Sequence, residues 1–186
     1  MPDALRRPVL EGLAPPRNSA ASATPCPPAI RFILRGGHDA AAAAGAAFGA
    51  PLPLEPLRSA TAGPRSAFWL GPDEWLLLAE DSDPALGARL EAALANVPHA
   101  LIDVSHRQDA LEVSGPGAAR LLNAGIILDL DPSAFPVGMV ARTLLTKAEV
   151  TLWRRDAERF RVEFLRSFGP YVLAILARAA DDQELC

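Results

Sequence analysis

The sequence predicts an α+β fold in which antiparallel sheets are packed against helices. The predicted elements follow the order β-α-β-β-α and then β-β-α-β-β-β-α. Hairpins in this order exclude an all-parallel doubly wound sheet, because parallel strands need long crossover connections. Two units of similar rhythm, at about residues 30–98 and 99–180, suggest an internal structural duplication, although the two halves show no matching sequence.

The N-terminal segment differs in composition from the rest of the chain. Residues 1–29 are rich in Pro, Ala and Ser and have few large apolar side chains. Proline donates no backbone hydrogen bond, and such a segment has little apolar surface to bury. We therefore predict a disordered tail that becomes ordered, if at all, against a partner. A second tail is expected at residues 181–186.

The first unit combines short strands with two amphipathic helices. Its strands are predicted at residues 30–34, 66–70 and 75–79. Asp39 is expected to cap an alanine-rich helix that ends at Gly49, and a loop punctuated by prolines follows. Asp83 is expected to cap a second helix, in which leucines spaced four residues apart share one face.

The second unit has a similar rhythm. Its strands are predicted at residues 100–104, 109–113, 140–145, 150–153 and 160–164. The first two of these are interpreted as a hairpin. A short helix follows the sequence Ser-Gly-Pro-Gly at residues 114–117 and ends at Gly125. A last helix begins after Ser167, and its buried face is predicted to contain Phe168, Tyr171, Val172, Ile175, Leu176 and Ala179.

Composition and charge restrict the classes of partner. The formal net charge is −4 and half of the residues are apolar, which is typical of a soluble globular domain. Nucleic acids and anionic membranes favour strongly basic surfaces, so neither is expected to bind. The sequence has no apolar run of roughly 20 residues that could span a membrane. The N-terminus lacks the apolar core of a secretory signal, so a cytoplasmic location is expected.

The side chains needed for catalysis or metal binding are sparse. The histidines His38, His99 and His106 match no HExxH or paired-histidine spacing. The cysteines, Cys26 and Cys186, have no neighbour at a metal-ligand spacing, and reduced thiols are a better interpretation than a disulfide between the two ends. We predict no catalytic, cofactor-binding or metal-binding residue in this chain.

Two short segments resemble functional motifs. Asp103, Ser105 and His106 lie within four residues, but the members of a catalytic triad normally come from separate elements. Hydrogen bonds to the backbone of a turn are the preferred interpretation. The glycine-rich sequence at residues 114–118 lacks the Lys-Ser/Thr of a phosphate-binding loop, so it is interpreted as a strand-to-helix turn.

Arginines form the most prominent charged feature of the C-terminal third. The cluster consists of Arg142, Arg154, Arg155, Arg159, Arg161 and Arg166. Two interpretations remain open: a solvated strand face, or a docking surface for an acidic partner, since arginine is favoured at interfaces. The candidate partner-interface residues are Trp75, Arg107, Arg142 and Arg166.

Several motifs in order resemble the sarcosine oxidase gamma subunit family, within the aminomethyltransferase-like folate-binding fold. The resemblance covers residues 30–180. It rests on Leu-Gly-Pro-Asp-Glu-Trp-Leu-Leu at residues 70–77, Asp-Val-Ser-His-Arg at 103–107, Leu-Glu-Val-Ser-Gly-Pro-Gly-Ala at 111–118 followed by Leu121 and Leu122, Asp-Leu-Asp-Pro at 129–132, Phe135-Pro136, Gly138, Arg142-Thr143 and Arg166-Ser-Phe168.

The resemblance implies an α+β domain of duplicated ferredoxin-like character. It also implies a non-catalytic gamma subunit of a heterotetrameric flavoenzyme that oxidatively demethylates sarcosine to glycine, with alpha, beta and delta subunits as partners. FAD, FMN, NAD, tetrahydrofolate and zinc would then be bound by those partner subunits. Two alternatives stay open: a gamma-type subunit of a related N-methyl amino-acid dehydrogenase or betaine demethylase, and a small folate-dependent one-carbon transfer protein.

Overall fold

The computed structural model describes residues 9, 10 and 12–184, which form ten strands and four α-helices. In chain order, the strands are β1 (Ser22–Pro25), β2 (Ile30–Gly36), β3 (Ser59–Ala62), β4 (Arg65–Gly71), β5 (Glu74–Ala79), β6 (His99–Asp103), β7 (Gln108–Ser114), β8 (Val140–Leu145), β9 (Ala148–Asp156) and β10 (Arg159–Leu165). The helices are α1 (His38–Phe48), α2 (Leu86–Leu94), α3 (Ala118–Asn123) and α4 (Gly169–Glu184), and a 3₁₀ turn (Arg166–Phe168) precedes α4.

The strands form two antiparallel sheets with the same topology. The first sheet has the order β3-β4-β5-β2-β6, and the second has the order β8-β9-β10-β7-β1. In each half, the chain runs β-α-β-β-β-α through the first four strands of its sheet. The predicted α+β class and the internal duplication are therefore confirmed. The fifth strand of each sheet comes from a different part of the chain. Strand β6 follows the β-α-β-β-β-α unit of the first sheet, whereas β1 precedes the units of both sheets.

The molecule has four layers, with two sheets face to face and a pair of helices on each outer side. Helices α1 and α2 pack on the first sheet, and α3 and α4 pack on the second. Strand β5 is buried on both faces: Trp75 and Leu77 contact the helices, whereas Leu76 and Leu78 point at the other sheet. Burial on both faces explains why this strand is an uninterrupted apolar run.

The predicted hairpin at residues 100–104 and 109–113 is wrong. Strand β6 pairs with β2 at the edge of the first sheet, whereas β7 pairs with β1 and β10 in the second. The short connection between β6 and β7 therefore crosses from one sheet to the other. It does so because Val104 N–H donates to Arg31 O, which keeps the chain against β2 to the end of β6. Strand β6, at the start of the second predicted unit, therefore belongs to the first sheet.

The predicted disordered tail at residues 1–29 is also wrong for the part that the structure describes. Strand β1 pairs with β7 over four residues, from Ser22 opposite Ser114 to Pro25 opposite Leu111. Small side chains, Ala21 and Ala23, are buried there and fit close to the sheet. Residues 1–8 and 11 lie outside the described residues. At the other end, α4 continues to Glu184, so the tail predicted from residue 181 starts too early.

The predicted helix boundaries are correct where glycine sets them. Gly49 adopts the left-handed conformation at the end of α1, with φ of 85°, and its N–H donates to Gly45 O. Asp39 is not the N-cap, because the backbone enters the helix at Gly37 and Asp39 lies within the first turn. The Asp83 carboxylate accepts the N–H of Ala85, so it orders the turn that precedes α2.

Candidate functional site

A network of buried charges lies between the two sheets. Arg31 on β2 donates through Nε to Glu163 Oε2 at 2.6 Å and through Nη2 to Glu163 Oε1 at 3.3 Å. Arg161, two residues before Glu163 on β10, donates through Nε to Glu163 Oε1 at 2.7 Å. Residues two apart on a strand share a face, so both point at the first sheet. All three side chains are at most 2% exposed.

The network continues toward solvent through Glu80, which follows β5. Arg161 Nη1 donates to Glu80 Oε1 at 2.6 Å, and Arg155 Nη2 donates to Glu80 Oε2 at 2.9 Å. Burial acts to lower the pKa of Arg161, but the charge of Glu163, the hydrogen bond to it and the charge of Glu80 act together with smaller effects to raise the pKa above its ordinary value. Opposite charges thus alternate along the network, and each buried cation has an anionic partner.

Cys26 lies beside this network but is not a reactive thiol. Burial raises its pKa to about 11, although the charge of Arg161 acts in the opposite direction. The thiolate is the nucleophilic form, so a cysteine with this pKa is inert near neutral pH. Its pairing with Cys186 is not described, because Cys186 lies outside the described residues.

A cleft of about 220 Å³ opens between the sheets next to the network. Arg107 and Arg142 lie on its walls, and Glu163 reaches it from the buried network. The first sheet contributes Ile33, Leu70, Glu74 and Val104, and the second contributes Gln108, Glu149, Val150, Thr151, Phe164 and Leu165. The carbonyl oxygen of the Gln108 side chain is buried without a hydrogen-bond partner among the described residues. The cleft therefore combines paired charges with apolar walls.

Three of the four candidate interface residues lie at this end of the molecule. Arg107 and Arg142 line the cleft, and the N–H of Arg166 donates to Arg107 O at 3.0 Å. The prediction is wrong for Trp75. Its side chain is completely buried beneath α1 and α2, and its Nε1 donates to Pro53 O at 2.7 Å. It therefore belongs to the core of the first half, where no partner can reach it.

Most of the arginine cluster pairs within the chain. Arg142 donates to Glu74 at 2.6 Å, and Arg159 lies 3.8 Å from Glu112. Arg154 is buried, and its guanidinium donates to the carbonyl oxygens of Leu130, Phe135 and Ala157. The solvated-face interpretation therefore fails for Arg154 and Arg161, whose side chains are buried. The docking interpretation of the exposed arginines stays a prediction.

The turn after β6 confirms the structural interpretation of its triad-like residues. Asp103 Oδ1 accepts the N–H of Ser105 at 2.8 Å, and Ser105 Oγ accepts the N–H of Arg31 at 2.9 Å. His106 is exposed. Both hydrogen bonds hold the crossing between the sheets.

The glycine-rich turn before α3 is a packing site for the N-terminal segment. Gly115 has a φ of +112°, and a Cβ at this position would lie 2.4 Å from Ala20 O. Gly117 N–H donates to that same oxygen at 2.9 Å. The glycines are therefore explained by the close approach of the segment that leads into β1.

Over residues 9–10 and 12–184, no group of three or more His, Cys, Asp or Glu side chains could hold a metal ion. None of the helices in the same part of the chain is long and apolar enough to cross a membrane.

The sequence patterns missed Glu163 and Arg31, and they identified Arg161 only as a member of the arginine cluster. The available signal was a charged pair, Arg161 and Glu163, at inward positions of an otherwise apolar strand. Charged residues are almost never fully buried unless they are paired. Arg161 and Glu163 on the inward face of β10 therefore indicate a charged partner on the facing sheet. Arg31, flanked by Ile30 and Phe32, is that partner.

Comparison with known proteins identifies close relatives of this chain. The family model described as "Sarcosine oxidase, gamma subunit family" matches residues 36–182. The sarcosine oxidase subunit gamma of Corynebacterium sp. (strain U-96) is 34% identical over 146 residues, which cover 78% of this chain and 70% of that protein. The subunit of the same name from Arthrobacter sp. is 38% identical over 133 residues, covering 72% and 64%.

Solved structures agree with these matches. A chain of the heterotetrameric sarcosine oxidase from Corynebacterium sp. U-96, in complex with pyrrole 2-carboxylate, superposes with a TM-score of 0.90 at 29% identity and covers 97% of each chain. The glycine cleavage system aminomethyltransferase T from Bartonella henselae superposes with a TM-score of 0.65 at 14% identity, covering 89% of this chain and 50% of that one. The similarity to the aminomethyltransferase confirms the predicted fold and supports no conclusion about function.

Proposed function

Because the chain belongs to the sarcosine oxidase gamma subunit family, we propose that it is the non-catalytic gamma subunit of a heterotetrameric sarcosine oxidase-type flavoenzyme. In this role it stabilises the assembly of the larger subunits, its partners being the alpha, beta and delta subunits. The complex oxidatively demethylates sarcosine to glycine, in the cytoplasm. FAD, FMN, NAD, tetrahydrofolate and zinc are bound by the other subunits.

The observation that carries the proposal is the superposition along the whole chain. A chain of a heterotetrameric sarcosine oxidase and this protein cover 97% of each other. The whole fold of this chain, and not only one part of it, therefore corresponds to a chain of that oxidase. The assignment of each cofactor and each neighbour to a named subunit goes beyond this observation and is part of the proposal.

The chemistry of the described residues also supports a role without catalysis. The ionisable groups between the sheets form ion pairs with each other, and Glu163, for example, pairs with Arg31 and Arg161. A catalytic acid or base needs access to substrate. The buried carboxylate instead accepts three hydrogen bonds and holds the sheets together.

The test is affinity purification of the tagged full-length chain from cells that express all the subunits. We expect larger subunits to co-purify and the preparation to show flavin absorbance and sarcosine-dependent activity. The tagged chain expressed without the other subunits is the control and should be colourless and inactive. A flavin-free preparation of this chain that turns over a methylamine or a folate would contradict the proposal.

A further inference from the structure

We propose that the outer edge of β6 is a docking site for an extended strand of another subunit, which adds a sixth strand to the first sheet. This proposal rests on the proposed function, since it supposes a complex. The strand that docks carries an apolar side chain opposite Ile102 and a basic side chain opposite Asp103.

The hydrogen-bonding pattern leaves one edge of β6 open. Strand β6 pairs with β2 from His99 opposite Gly36 to Asp103 opposite Phe32. Val104 N–H donates to Arg31 O, and in an antiparallel pair the hydrogen-bonded positions alternate. The backbone groups of Ala100 and Ile102 therefore point at β2, whereas those of His99, Leu101 and Asp103 point outward. In the part of the chain that the structure describes, no backbone group binds that outer edge.

The internal duplication provides a comparison within the same molecule. Strand β1 occupies the corresponding edge position in the second sheet. Its outer edge is covered by the chain itself: Arg17 forms a β-bridge with Ser22, and Ala23 N–H donates to Pro16 O at 2.8 Å. The same position in the first sheet has no such cover among the described residues.

Strand β6 has no lysine, no proline and no bulge, three of the features that protect edge strands from pairing. Natural edges are blocked by lysine, proline, bulges or inward-pointing charges. The sequence of β6 is His-Ala-Leu-Ile-Asp, with a continuous register against β2. Ile102 is 56% exposed although its cross-strand partner, Ile33, packs between the sheets. An added strand would cover Ile102 and bury its apolar side chain.

The charges beside β6 indicate the chemistry of the strand that docks. On the face toward α2, Asp103 is exposed, and Glu91 of α2 is 57% exposed and lies 3.2 Å from His99. This edge therefore presents the carboxylate of Asp103 on one face and the apolar side chain of Ile102 on the other. A strand that alternates basic and apolar side chains matches both faces, and main-chain hydrogen bonds supply affinity in this mode of binding.

Hydrogen exchange at single-residue resolution tests the proposal on the full complex and on the isolated full-length chain. We expect the amides of Leu101 and Asp103 to exchange at least tenfold more slowly in the complex, while those of Ala100 and Ile102 are already protected in the isolated chain. Complex formation with unchanged exchange at Leu101 and Asp103 would overturn the docking proposal and leave the proposed function standing. Failure of the chain to join any complex would overturn both.

Two variants test the side-chain requirements. Ile102→Lys should weaken association at least tenfold, whereas Ile127→Lys, at a residue 88% exposed far from β6 in the sequence, should leave it unchanged. Asp103→Asn keeps an acceptor for the Ser105 N–H and should reduce the salt dependence of association. Equal effects of the two lysine variants would contradict the proposal. So would protection of Leu101 that rises with concentration in the isolated chain, since a second copy would then be the occupant.

Discussion

Replacing Glu163 with glutamine should destabilise the protein more than any comparable change of a surface carboxylate. Glu163 accepts three hydrogen bonds from Arg31 and Arg161, whose side chains are at most 2% exposed. Glutamine has nearly the same size but no charge, and its amide nitrogen points hydrogens at a guanidinium. The substitution therefore leaves Arg31 without an anionic partner, whereas Arg161 keeps Glu80.

The expected magnitude follows from the burial of these charges. Breaking a buried ion pair by removing one partner costs about 3–5 kcal/mol. For a domain of this size each kcal/mol shifts the melting temperature by about 2–4 °C, so a decrease of roughly 6–20 °C is expected. Glu149→Gln is the matched control, because Glu149 is exposed on the same face of the second sheet. It should change stability by less than about 0.5 kcal/mol.

Urea denaturation followed by tryptophan fluorescence measures the effect, since Trp153 lies between the sheets. The double variant Arg31→Met with Glu163→Gln should lose less than the sum of the single losses, with an interaction energy of about 1–3 kcal/mol. A loss of under about 1 kcal/mol for Glu163→Gln, or strict additivity in the double variant, would refute the account of the network.

Three further predictions concern the N-terminal segment and the dependence of the free energy of unfolding on acidic pH. Gly115→Ala should cost more than Gly63→Ala in urea denaturation, because the new Cβ meets Ala20 O in the first case and nothing within 4 Å in the second; equal losses would contradict this. Removal of residues 1–29 should lower the free energy of unfolding by more than about 2 kcal/mol, at about 1 kcal/mol per lost hydrogen bond, whereas an unchanged value would favour a dispensable tail. The hydrogen bond from Arg65 lowers the pKa of Asp81, so its contribution is complete above the unfolded pKa of about 3.9 and is lost as pH falls through the folded value. Arg65→Met should therefore flatten the decrease of stability below about pH 4, and an unaltered pH profile would show that the pair does not contribute.

The sequence predicted those parts of the fold that depend on neighbouring residues. Gly49 ends α1 because its backbone adopts a positive φ, and the strands predicted at residues 66–70 and 75–79 pair as β4 and β5. The duplication was visible in the rhythm of strands and helices. The helix end and the strand pair are specified by residues close to them in the sequence.

The parts that could not be predicted depend on contacts between distant residues. Strand β6 lies four residues from β7, yet it pairs with β2, because the turn is anchored by Arg31 and Ser105. Strand β1 resembles a tail in composition, but it is held by pairing with β7.

The same limit applies to the candidate site. Trp75 was a candidate interface residue, but α1 and α2 bury its side chain. The burial of Glu163 could not be predicted, because its partner Arg31 is 132 residues away in the sequence.

The central claim is that this chain acts by holding other subunits in place. Its most direct test is to co-express the remaining subunits with and without the chain and to determine the mass of the resulting complex by native mass spectrometry. We expect the intact heterotetramer with the chain, and dissociated or unstable subunits without it. A stable complex of the remaining subunits that demethylates sarcosine at the full rate would contradict the claim.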